Sequence, residues 1–184
     1  MWGAMTASAA DVVSFWQKAG SDRWFKKDPA FDDEIKGHFL GTYQAAAAGQ
    51  FASWEQGPEG ALALLILLDQ FPRNMFRGEA QAFATDPLAR AIAAGAIVRG
   101  FDSQVSKELR NFFYLPFEHS EDLADQERCI ALNRASGDEE NLKWAEIHAD
   151  IIRRFGRFPH RNAALGRTTT PEEQAFLDSG GFAG

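Results

Sequence analysis

The sequence predicts an all-α fold, a multi-helix array in a single domain spanning residues 1–184, and three observations carry that expectation. Apolar residues recur at helical spacing, as in Val12, Val13 and Trp16 or in Trp144, His148, Ile151, Ile152 and Phe155. Helix-start signals are frequent: Asp28-Pro29, Gly57-Pro58, Thr85-Asp86-Pro87 and Thr170-Pro171 all put proline early in a helix, where its missing N–H has no intrahelical partner to lose. No run shows the sustained apolar–polar alternation and β-branched enrichment of a strand.

The elements follow in order. A first helix is expected near Asp11, burying Val12, Val13 and Trp16 and stopping at Gly20. Asp28 caps a second, which runs from Pro29 to about Ala48 and is closed by Gly49. A short aromatic turn, Phe51 to Trp54, leads through Gly57-Pro58 into Ala61-Leu62-Ala63-Leu64-Leu65-Ile66-Leu67-Leu68. That stretch is apolar on every side and is expected to be the central buried helix. Further helices are expected from Thr85-Asp86-Pro87, Asp102-Ser103, Pro116 to Ser120, Asp138, Pro159 and Thr170-Pro171, the last with a Thr170–Glu173 capping box. Residues 1–8 and 179–184 read as loose ends.

Composition narrows the partners. With 19 basic and 26 acidic residues the chain carries a net charge of −7, which argues against nucleic acid or an anionic membrane as the main partner. The most apolar run is far shorter than the roughly 20 residues needed to span a bilayer. A single cysteine, Cys129, excludes an intramolecular disulfide framework and favours a reducing compartment. With no secretory signal in Met1 to Asp11, a cytoplasmic, soluble protein is expected.

Two segments nearly repeat each other: Phe71-Pro72-Arg73-Asn74 and Phe158-Pro159-His160-Arg161-Asn162. Each reads as a helix start in which arginine sits against the positive end of the helix dipole and calls for an anion, either a carboxylate of the protein or a ligand. Asp69, just past the apolar run and near a negative helix end, needs a cation, and Arg73 is the nearest in sequence. In Leu115 to Leu123, helical spacing places His119 on one stripe with Leu123, Gln126 and Ile130, among the carboxylates of Glu118, Glu121 and Asp122. His148 likewise points inward, followed by the basic cluster Arg153, Arg154, Arg157, His160 and Arg161. That cluster either docks on Glu118, Glu121 and Asp122 or converges on a phosphate or carboxylate ligand. The histidines lack a recognised metal-ligand spacing, there is no P-loop, G-x-G-x-x-G or G-x-S-x-G motif, and Cys129 reads as a small buried hydrophobe. No metal or cofactor is expected.

The segments Trp24-Phe25-Lys26-Lys27-Asp28-Pro29-Ala30-Phe31-Asp32, Leu68 to Asn74, Pro116 to Asp122 and Phe155 to Asn162, in that order, resemble the bacterial domain-of-unknown-function family 924. The resemblance covers nearly the whole chain and implies a tetratricopeptide-repeat-like right-handed superhelix; it supplies no reaction. The sequence itself shows no 34-residue repeat signature.

Two functional classes are consistent with these residues. The first is a small-molecule site between helices, with Asp69, Arg73, Asn74, Arg157, His160, Arg161 and Asn162 binding an anionic ligand. In it His119 or His148 serves as acid or base, with a carboxylate such as Glu118 orienting it. The second is an interaction module presenting helix pairs to a peptide or protein partner. A purely structural role for the polar cluster, fixing helix order, is the third possibility.

Overall fold

The computed structural model describes residues 6–182, which are helical with no strand among them. The chain divides into two compact units, one from the described part of Met1–Arg77 with Gln81–Pro116, the other from Gly78–Ala80 and Phe117 onward.

In the first unit, α1 (Ala9–Ala19) starts two residues earlier than the sequence suggested. Ser8 is its cap and Asp11 the partner of the cap: the Ser8 side chain accepts from the Asp11 N–H while the Asp11 carboxylate accepts from the Ser8 N–H. After the short α2 (Ser21–Trp24) comes α3 (Pro29–Ala47), capped by Asp28 as expected. A 3₁₀ turn (Ala52–Gln56) then delivers α4 (Pro58–Leu65), which packs on α1 and on α6 (Asp86–Val98) and is buried throughout Ala61–Leu65, with Ile66–Leu68 buried beyond it. Between them α5 (Phe71–Met75) lies against α3. Trp16, Trp24, Phe31, Phe39, Phe71 and Phe112 form a continuous aromatic core, in which the Trp24 indole N–H donates to the Trp16 carbonyl at 2.7 Å. The helix expected from Asp102 is instead a 3₁₀ turn (Asp102–Gln104) followed by the single-turn α7 (Lys107–Arg110).

Pro72 does not start a helix. It sits just after a π-helical turn, Ile66–Gln70, that continues α4 without a break. The reason is local: proline has no N–H, so the carbonyl four residues back, that of Leu68, loses its helical donor, and the ring crowds the preceding turn. The helix widens, and the Phe71 N–H bonds to the Ile66 carbonyl, five residues back. Two side chains donate to carbonyls of this turn. The Thr85 hydroxyl donates to the Leu68 oxygen at 2.6 Å, and Arg73 Nη1 donates to the Asp69 oxygen at 2.7 Å.

The second unit begins within the single-turn α8 (Leu115–Glu118). The helix expected through Pro116 to Ser120 and on to Ile130 breaks there, and α9 (Leu123–Ser136) starts afresh because the Asp122 carboxylate caps the Ala124 N–H. His119 therefore lies in a turn and is half-buried, not on the stripe of Gln126 and Ile130. Left-handed Gly137 ends α9 and Asp138 caps α10 (Glu139–Phe155), which packs on α9. Pro159 opens only a 3₁₀ turn (Pro159–Arg161), and α11 (Pro171–Asp178) carries the expected Thr170–Glu173 capping box.

The ends expected to be loose lie partly outside the described residues, at 1–5 and 183–184. The Ala7 N–H donates to Thr42 Oγ1 at 2.9 Å, and the N–H groups of Ser179, Gly180 and Gly181 bond to carbonyls of α11.

Thr85→Val keeps the volume but removes the donor to a buried carbonyl, so a loss of about 1–2 kcal/mol is expected in urea unfolding. An unchanged midpoint would show that the Leu68 carbonyl is satisfied without Thr85.

Candidate functional site

In the first unit the candidate residues Asp69, Arg73 and Asn74 are all engaged with protein groups. Arg73 reaches Asp86 through both Nη atoms, at 2.8 and 2.9 Å, and approaches Asp69 Oδ1 at 3.4 Å. Burial disfavours its charge, but the Asp86 and Asp69 carboxylates more than offset that and hold the guanidinium protonated. Gln70 Nε2 also donates to Asp69, at 2.6 Å. Asn74 donates to Asp32 at 2.8 Å, and Arg77 grips the same carboxylate at 2.9 and 3.0 Å. The expected Asp69–Arg73 pair is present, and Asp86, capping-region residue of α6, is the stronger partner that the sequence did not single out.

The second unit contains the other candidates. His148, on α10, is 5% exposed and Glu118 is 4% exposed, so an imidazole and a carboxylate are both out of water. His148 Nδ1 lies 2.8 Å from the Trp144 carbonyl oxygen and 3.4 Å from Glu118 Oε1. A carbonyl only accepts, so Nδ1 carries the proton, and in the neutral ring the lone pair belongs to Nε2. Trp144, expected on the same inward face, is 46% exposed, and its backbone rather than its ring serves the histidine.

Below Glu118, α9 turns a polar stripe inward. The Cys129 thiol donates to Glu118 Oε2 at 3.8 Å and is pushed up by burial and by the Glu118 charge, so it stays protonated. Asn133 Nδ2 donates to the Cys129 carbonyl at 3.1 Å. Gln126 Nε2 donates to the Glu118 and Ser120 carbonyls at 2.6 and 2.7 Å, fixing the turn that carries His119.

Arg161 is buried, with Nη2 donating to the His119 carbonyl at 2.8 Å and its guanidinium stacked 4.7 Å from the centre of the Phe158 ring. His160 packs on Phe158 and Phe182. Arg157 and Asn162 both serve Glu173: Arg157 at 2.6 and 2.9 Å, Asn162 at 3.0 Å. The expected docking of basic residues on Glu121 occurs, but through Arg167 at 2.8 and 2.9 Å and through the Phe158 N–H at 2.8 Å. Asp122 is occupied as a helix cap, while Arg153 and Arg154 are exposed. Sequence reasoning missed Arg167 and the packing role of Phe182; the capping box was the one local sign that Glu173 turns inward. Among the described residues, no three His, Cys, Asp or Glu side chains group closely enough to hold a metal ion.

A family model described as a bacterial protein of unknown function, DUF924, matches residues 12–181, which span all of these candidates. The chain belongs to this family. It is also similar to the solved structure of the protein of unknown function ATU0120 from Agrobacterium tumefaciens, with 55% identity and a TM-score of 0.89. The match covers 93% of this chain and 97% of that one. Comparison with curated proteins gave no match. The DUF924 membership and the all-α architecture thus agree with the resemblance read from the sequence.

Glu173 gives this DUF924 protein an acid-sensitive joint. The Arg157 hydrogen bonds lower its pKa, burial works against them, the Thr170 N–H adds to the lowering, and the carboxyl is held at about 2. A depressed pKa stabilises the fold fully above the ordinary glutamate range near 4.5 and loses that contribution as pH falls toward 2. Urea midpoints measured from pH 6 to pH 2 should fall across that window, and Glu173→Gln should be less stable at pH 6 with a shallower fall. Parallel curves for the two proteins would contradict the assignment.

Proposed function

We propose that the second unit holds a small-molecule site in which His148 is the acid–base group and Arg161 with His160 draws in an anionic group of the ligand. One observation carries this reading: a buried imidazole oriented through Nδ1 by the Trp144 carbonyl, with the buried Glu118 carboxylate beside it. Burying such a pair is costly, and apolar residues of similar volume commonly give an equally stable core. A histidine with one ring nitrogen pinned and a carboxylate at hand is the arrangement that acid–base chemistry uses. Glu118 then acts as the positioning residue. Arg73, Asn74, Arg157 and Asn162 serve the fold, since each is spent on a carboxylate of its own unit. Cytoplasmic residence fits the reduced, buried Cys129.

A second reading, an interaction module of tetratricopeptide-repeat-like architecture, draws on the α9–α10 hairpin and on the exposed Trp144 indole on α10. A thermal-shift panel of phosphorylated metabolites, carboxylates and divalent cations, with a chelator control, separates the two. A ligand at about a hundred times its Kd adds roughly 2.7 kcal/mol, a rise of several degrees in Tm for a chain of this length. The expected result is a carboxylate or phosphate hit that Arg161→Ala abolishes. Glu118→Gln should retain it with an altered pH dependence. Silence across the panel overturns the small-molecule reading and leaves the interaction module.

A further inference from the structure

Phe182 comes from the very end of the described chain, yet its half-buried ring is seated against both candidate histidines. Its centre lies 4.4 Å from that of His148 and 5.3 Å from that of His160, edge-on to each at 61° and 83°. Phe158 backs the same two imidazoles at 5.7 Å each. Two histidines and a phenylalanine thus form a slot for one flat ring, and the chain supplies that ring itself.

The seat is built by the end of α11. The Gly181 N–H bonds to the Phe176 carbonyl and the Gly180 N–H to that of Leu177, with Gly180 at φ +80°, so the helix closes in a Schellman turn that reverses the chain. Gly181 has no room for a side chain: a Cβ there would lie 2.6 Å from both the Phe176 ring and its carbonyl. That close approach aims the next residue at His148. The Schellman turn seats Phe182 on the apolar cluster of Ile151, Ile152 and Phe158, so a ligand ring that displaces it has to cover that cluster in its place.

We propose that this slot is the aromatic half of the ligand site, occupied in cis by Phe182 and yielding to the aryl group of an anionic ligand. The ring of such a ligand replaces Phe182 between His148 and His160, while its carboxylate or phosphate meets Arg161. The inference rests on the small-molecule reading above and narrows its substrate class to aryl-bearing anions; Phe182 then acts as a self-supplied gate.

The test uses three probes, phenylacetate, acetate and phenol, titrated by NMR into the wild-type chain, Phe182→Ala and Gly181→Ala. The glycine variant keeps the ring but removes its seat, so it checks that any gain is not peculiar to one substitution. The His148 and His160 imidazole proton shifts should change in Phe182→Ala, because the ring 4.4 and 5.3 Å from their centres is gone, with an unchanged far-UV spectrum. Phenylacetate should bind both variants at least tenfold more tightly than wild type, with acetate binding the same in all three. Acetate binding without any gain for phenylacetate overturns the slot and leaves the anion site standing. Phenol binding that gains in the variants, with no acetate binding, supports the slot and removes the anion site. No binding of any probe to any variant overturns both.

Discussion

A helix buried on all sides that carries a carboxylate has to meet a cation, and the first unit depends on how Arg73 meets it. Ala61 to Leu68 lie in the core, and Asp69 follows at 1% exposure. An unpaired carboxylate buried to that degree would be strongly disfavoured. Arg73 approaches Asp69 and forms a forked pair with Asp86, thereby tying the π turn of the central helix to the start of α6. Pro72 leaves the Leu68 carbonyl without a helical donor, and it goes to Thr85, while Arg73 also donates to the Asp69 carbonyl. Thr85 and Asp86 are neighbours in sequence, so one helix start serves both the broken backbone and the buried charge.

The second unit solves a similar problem with glutamates. Glu173 collects Arg157, Asn162 and the Thr170 N–H, and Glu121 collects Arg167 and the Phe158 N–H. Burial pushes the Glu121 carboxyl up, but Arg167 and the Phe158 N–H outweigh it and keep the group ionised below the usual range. These two anchors hold the Phe158–Asn162 turn in place. Glu118 differs from them. It faces the His148 imidazole and accepts from the Cys129 thiol. A buried imidazole beside that carboxylate is what sets Glu118 and His148 apart from Glu121 and Glu173.

The two look-alike segments show how far local sequence carries. Phe71-Pro72-Arg73-Asn74 and Phe158-Pro159-His160-Arg161-Asn162 both call for an anion near the arginine. In the first the anion is Asp86, 13 residues away, and the proline lies within a continuous helix. In the second the proline opens a 3₁₀ turn, and Arg161 donates to a carbonyl and stacks on Phe158. Residue type fixed the demand for compensation, but the partner came from elsewhere in the fold.

Short-range physics was legible in the chain. The caps at Asp28, Asp138 and Thr170–Glu173, the core helix through Ala61 to Leu68, the inward His148 and the buried Cys129 follow from side chains and backbone within a turn or two of each other. Periodicity failed at His119 and Trp144, because it assumes an uninterrupted helix or a fully covered face, and Asp122 restarts the chain while α10 leaves Trp144 partly in solvent. The sequence by itself thus determined that the chain is all-α, where most helices begin, and which charges need partners. Only the tertiary structure decided which partners they meet, as with Glu121 and Arg167 across 46 residues, and that Phe182 reaches the two histidines. Caps and apolar stripes are settled by neighbours along the chain, whereas the pairing of buried charges and rings is settled by which helices pack together.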